Sequence, residues 1–149
     1  MSILFINGSP NHNGNTAKLA ETLLKNTDYE NLNLTDYIIG SYGQNLEGDG
    51  LDTVISKMKE ADTIVIGSPM YWHNICGSVR NMLDRFYGKV DDSTLKGRKL
   101  YFIFQGAAPE KWMLEAGEYT MSRFAMLYGM SYCGMVNNKA EAQKVSNEF

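Results

Sequence analysis

Apolar residues fall into short runs that alternate with longer amphipathic stretches. Ser2 to Asn7 contains four consecutive apolar residues, Ile3 to Ile6, and ends at Gly8-Ser9-Pro10. Thr16 to Lys25 places Leu19, Ala20, Leu23 and Leu24 at helical spacing. Glu30 to Thr35 alternates weakly, with Leu32 and Leu34 on one face, and predicts an edge strand. The glycine-rich, polar stretch 36–50 reads as a loop. Leu51 to Glu60 predicts a helix through Leu51, Val54, Ile55 and Met58. Thr63 to Ile66 is β-branched and apolar after its first residue, as suits a strand covered on both faces. Asn74 to Tyr87 puts Ile75, Val79, Met82, Leu83 and Phe86 on one helical face. A strand over Leu100 to Phe104, a long helix over Trp112 to Tyr128, a strand over Met130 to Val136 and a short helix over Ala140 to Asn147 complete the pattern.

Strands and helices in strict alternation predict an α/β fold, a doubly wound five-stranded parallel sheet with helices on both faces. The 149 residues suit one domain spanning 1–149. Strand order 2-1-3-4-5 is the expected arrangement, with ligands bound beyond the carboxyl ends of the strands where the order reverses. The loops after residues 7, 67 and 104 are therefore the candidate site.

Composition narrows the function. Hydrophobic residues make up 44% and charged residues 21%, with a net charge of -3. No basic block exists, so a nucleic-acid partner is not expected. No run approaches the roughly 18 apolar residues of a membrane span. The amino-terminal run reads as a buried strand, not a signal peptide, and a cytoplasmic location is the default expectation. Cys76 and Cys133 lie outside any CxxC motif and are expected as buried free thiols. His12 and His73 are isolated, so no metal site is expected.

The first loop carries the clearest chemistry. Gly8-Ser9-Pro10-Asn11-His12-Asn13-Gly14-Asn15-Thr16 follows a strand and opens a helix. Unpaired amides and the dipole at a helix N-terminus attract a phosphate, and Gly14 lets the backbone approach it. Five residues separate Gly8 from Gly14, and Asn15 stands where a triphosphate loop needs Lys. No GxGxxG is present either. A monophosphate cradle remains, alongside the plainer reading of a turn and a helix cap.

This loop resembles the phosphate loop of the NADPH-dependent FMN reductase family, within the flavodoxin-like superfamily. The matching residues are Gly8-Ser9-Pro10 and Asn13-Gly14-Asn15-Thr16. Relatives often carry a basic residue where Asn11 and His12 stand here; His12 could substitute in part when protonated. The second loop, Gly67-Ser68-Pro69-Met70-Tyr71-Trp72-His73-Asn74, has adjacent aromatics that could stack on a planar heterocycle, cap the sheet or form a subunit contact. Gly77 and the helix ending in Asp84-Arg85 continue the resemblance, with Asp84 and Arg85 expected to pair and Arg80 to be solvated. In the third loop, Phe104-Gln105-Gly106-Ala107-Ala108-Pro109, small residues leave backbone amides free to meet a ligand.

The resemblance implies a flavodoxin-like fold and bound FMN. Ser9, Asn11, Asn13, Gly14, Asn15 and Thr16 would hold the phosphate. Pro69, Met70, Tyr71 and Trp72 would line the ring, Asn74 would add a polar contact, and Gln105, Gly106 and Ala107 would face its N1 and C2 carbonyl edge. NAD(P)H would be the co-substrate. The acceptor would be a small molecule: a quinone, a nitro or azo compound, or a free flavin. No catalytic acid or base is assigned. Some relatives hold an iron–sulfur centre after the second strand; residues 36–50 contain no Cys, so none is expected. Relatives commonly complete the pocket as homodimers, which is the expectation here. The alternatives are a flavodoxin-type electron carrier and a flavin-bound regulatory protein, each without a substrate of its own.

Overall fold

The computed structural model describes residues 1–149. Its strands are β1 (Ile3–Asn7), β2 (Glu30–Asn33), β3 (Thr63–Tyr71), β4 (Asn74–Ile75), β5 (Lys99–Gln105) and β6 (Ser131–Val136). Its α-helices are α1 (Asn15–Leu23), α2 (Leu51–Glu60), α3 (Gly77–Arg85), α4 (Lys111–Leu127) and α5 (Lys139–Val145). Five strands form a parallel sheet in the order β2-β1-β3-β5-β6, with β4 paired antiparallel to β3 alone. Without that two-residue strand, the order is the expected 2-1-3-4-5.

Alternation along the buried strands builds a core on each face. Leu4, Ile6, Ile64, Ile66, Leu100 and Phe102 pack with residues of α2, α3 and α4. Ile3, Phe5, Val65, Tyr101 and Ile103 pack with Ala20 and Leu23 of α1 and Ala142 of α5. The site end of the sheet is thus clamped from both sides.

Three departures from the sequence pattern have physical causes. First, β3 continues through Gly67-Ser68-Pro69 to Tyr71, beyond the expected end at Ile66. β1 stops at Asn7 opposite Gly67, while β5 continues opposite Ser68 and Pro69. Past Gly67 the strand has a parallel neighbour on one side only, so the missing N–H of Pro69 is tolerated. Second, Asn74 and Ile75 form a hairpin strand, not the start of a helix. Ile75 pairs with Met70 and is buried there, and the helix begins only at Gly77. Third, Cys133 is half-buried, not buried. Tyr132 pairs with Leu100 and Gly134 with Tyr101, so Cys133 is the unpaired residue of a β-bulge on the edge strand.

Asp84 and Arg85 do not pair with each other. Asp84 accepts from Arg80 at 3.1 Å, one helical turn away. Arg85 reaches the 36–50 loop, donating to Asp49 at 2.5 Å and to the Gly40 carbonyl at 3.1 Å. Asp49 also accepts from the amides of Gly40 and Leu51. The Arg85 hydrogen bond, reinforced by those two amides, holds the Asp49 carboxyl down at about 2. A depressed carboxyl stabilises the fold fully above its ordinary value near 3.8 and loses that contribution as pH falls through about 2. Asp49→Asn is expected to cost about 1–2 kcal/mol at pH 7 by urea unfolding, with the gap to wild type closing as pH drops from 4 to about 2.

Candidate functional site

The loops at the carboxyl ends of β1, β3 and β5 meet at the point where strand order reverses. Their junction is tightly bonded. The Gly8 amide donates to the Gly67 carbonyl at 2.8 Å. Ser78 Oγ donates to the Gly8 carbonyl at 2.6 Å, and the Cys76 amide donates to Ser68 Oγ at 2.9 Å. Both glycines are required by space: a Cβ on Gly8 would lie 2.3 Å from Val79 Cγ2, and one on Gly67 would lie 2.6 Å from Thr16 Cγ2.

The first loop is a chain of Asx and Ser turns. Asn7 Oδ1 accepts from the Ser9 amide, Ser9 Oγ from the Asn11 amide, and Asn11 Oδ1 from the Asn13 amide. These bonds fix the course of the loop from Asn7 to Asn13. No side chain caps α1 at Gly14. The first-turn amides of Asn15, Thr16 and Ala17 therefore donate to no protein acceptor. At the third loop, the amides of Gly106 and Ala107 are likewise uncommitted.

A cavity of about 340 Å³ lies between these groups, lined by Ser9, Asn11, Gly14, Asn15, Pro69, Met70, Tyr71, Gln105, Gly106 and Ala107. Ten of the residues selected from the sequence thus share one wall-to-wall space, and all three loops contribute. Four do not line it. Asn13 is exposed on the outer side of its turn. Thr16 is buried, and its hydroxyl accepts from Gln105 Nε2 at 3.2 Å, which ties α1 to the end of β5. Asn74 Oδ1 accepts from the next residue's amide. Trp72 is 93% exposed, whereas its neighbour Tyr71 is 49% exposed and lines the cavity. His12 does not supply a free cation to the loop; its Nε2 lies 3.4 Å from Asp36 Oδ1.

A larger recess of about 480 Å³ lies at the opposite, amino end of the sheet, bordered by Ser2, Asp28, Glu30, Lys57 and Glu60. There Lys57 is already paired with Glu30. It lies away from the three loops where the strand order reverses.

The family model for NADPH-dependent FMN reductase matches residues 1–138. The chain belongs to the NADPH-dependent FMN reductase family. FMN is the cofactor of that family and a reduced nicotinamide its electron source. An iron-sulfur flavoprotein of Archaeoglobus fulgidus is 38% identical over 98 residues, covering 57% of this chain and 48% of that protein. The chain spans about half the length of the curated relatives it matches. Among solved structures, the Trp repressor binding protein of Bacillus subtilis superposes with a TM-score of 0.79 at 22% identity, covering 97% and 98% of the two chains. An azoreductase of Bacillus anthracis superposes with a TM-score of 0.75 at 16% identity, covering both chains fully. These two likenesses show a shared fold.

Sequence reading missed the turn that shapes the second loop. Trp72 and His73 both have positive φ, 49° and 65°, and join β3 to β4 as a two-residue hairpin. Such turns favour Asn-Gly, so a Trp-His pair carries no recognisable turn signal. His73 packs edge-on against Trp112 at 5.8 Å, which joins the hairpin tip to the start of α4. Left-handed backbone costs a non-glycine residue roughly 1–2 kcal/mol. Replacing Trp72-His73 with Asn-Gly is expected to stabilise the fold by about 1 kcal/mol in urea unfolding, after the lost Trp112 contact is set against the relieved strain. A destabilised variant would show that the two side chains hold the turn.

Proposed function

We propose that this FMN reductase family member is an FMN-dependent NAD(P)H oxidoreductase that passes electrons to a small acceptor such as a quinone, a nitro or azo compound, or a free flavin. The observation that carries this reading is the single cavity with uncommitted amides at both ends. At one end the lining residues Ser9, Asn11, Gly14 and Asn15, backed by the uncommitted first-turn amides of α1, would hold the 5′-phosphate, with Asn13 and Thr16 adjoining them outside the cavity lining. At the other, the amides of Gly106 and Ala107, beside Gln105, would meet the N1 and C2 carbonyl edge. Pro69, Met70 and Tyr71 supply an apolar wall between them, with Trp72 and Asn74 on the adjoining hairpin. The donor set fits a phosphorylated planar heterocycle.

Bound FMN supplies two-electron transfer between a nicotinamide and the acceptor. No carboxylate, imidazole, thiol or ammonium lines the cavity. The lining groups suit binding, orientation and electrostatic support of the reduced ring. The half-exposed Tyr71 leaves one side of the cavity open to a small acceptor. The solvent-facing Trp72 beside that opening supports a homodimer in which a second copy covers the hairpin.

The FMN-loaded protein should bleach near 450 nm when mixed anaerobically with NADPH or NADH and recover on addition of a quinone. A loaded protein that neither nucleotide reduces would instead act as an electron carrier or a regulatory flavoprotein.

A further inference from the structure

The phosphate loop contains no lysine or arginine, and Asp36 faces its one histidine. A second recess, of about 460 Å³, adjoins the flavin cavity and shares Asn15 and Gln105 with it. Lys18, one turn into α1, and Lys139, the first residue of α5, line this recess. Neither lysine takes part in an ion pair or a side-chain hydrogen bond, although five other lysine and arginine residues are ion-paired elsewhere in the chain. The one carboxylate in the wall is Glu21. Glu141 is occupied nearby, accepting from the Asn137 amide at 2.7 Å. Two unpaired ammonium groups against one carboxylate leave the recess positive in a chain of net charge -3.

We infer that Lys18 and Lys139 supply from this recess the positive charge that the phosphate loop lacks, and so select the phosphorylated flavin over riboflavin. The inference rests on the flavin reading of the adjoining cavity. Asn15 opens α1 and borders both spaces, so charge in the recess acts on a phosphate at the helix start. The lysines are exposed, which limits each to a modest, salt-sensitive contribution. α1 and α5 pack side by side, so both lysines are carried by helices fixed to the same face of the sheet.

The test compares FMN and riboflavin binding by flavin fluorescence in wild type, Lys18→Gln, Lys139→Gln and the double variant. The double variant should raise the FMN Kd about tenfold at low salt, with the difference shrinking as salt is added. The riboflavin Kd should stay within about twofold, which also reports that the ring site is folded. FMN affinity unchanged in the double variant overturns the inference and leaves the flavin reading standing. The same result combined with a raised KM for NADPH assigns the recess to the nicotinamide phosphates instead. A wild-type protein that binds neither flavin overturns both readings.

Discussion

The contact between Gly8 and Gly67 sets the geometry on which the site depends. β1 and β3 are adjacent in the sheet but separated by a crossover, and the residue after β1, Gly8, donates to Gly67 within β3 at 2.8 Å. At Gly8, Val79 of α3 closes to the backbone; at Gly67, Thr16 of α1 does the same from the other face. Any side chain at either position would push a helix away, at a cost of roughly 1–3 kcal/mol for an added methyl in a packed interior. The cavity exists because two helices on opposite faces approach one point of the sheet without meeting a side chain.

That constraint explains the division of labour in the site. With side chains excluded from the junction, backbone groups and short polar side chains line the cavity beside the wall of Pro69, Met70 and Tyr71. The side-chain oxygens of Asn7, Ser9 and Asn11 fix the turns of the first loop, and the first-turn α1 amides have no protein acceptor. In the proposed reading, binding strength comes from pre-organised dipoles, and formal charge comes from outside the loop. The 36–50 segment follows the same economy in another form, with Asp49 fastened to α3 through Arg85.

Much of this was legible in the chain. The alternating pattern predicted the parallel sheet and its order, because buried strands and amphipathic helices have different periods. That the loops after β1, β3 and β5 meet in one cavity was legible from the strand order, and the glycine-rich, polar first loop marked one wall of it, whereas Asn13 and Thr16 fall outside its lining. Other features depended on tertiary partners. The apolar run ends at Ile66, yet pairing with β5 carries the strand on past Pro69. Ile75 fitted the helical stripe of Val79 and Met82, yet its pairing with Met70 won. Trp72 and His73 occupy a turn that their residue types disfavour, so no local rule could locate it. Arg85 found Asp49 across the fold, and its chain neighbour Asp84 pointed instead to Arg80. Lys18 and Lys139 are 121 residues apart and converge only because α1 packs on α5.

The central claim is that one cavity at the β1–β3–β5 ends holds FMN through backbone amides. Amide chemical-shift mapping during an FMN titration addresses those amides one by one. The account predicts large shifts at Asn15, Thr16, Ala17, Gly106 and Ala107, with smaller ones along Pro69-flanking residues, and little change at the opposite end of the sheet around Asp28, Glu30 and Lys57. Shifts centred on that opposite end, or none at the α1 amides, would contradict it.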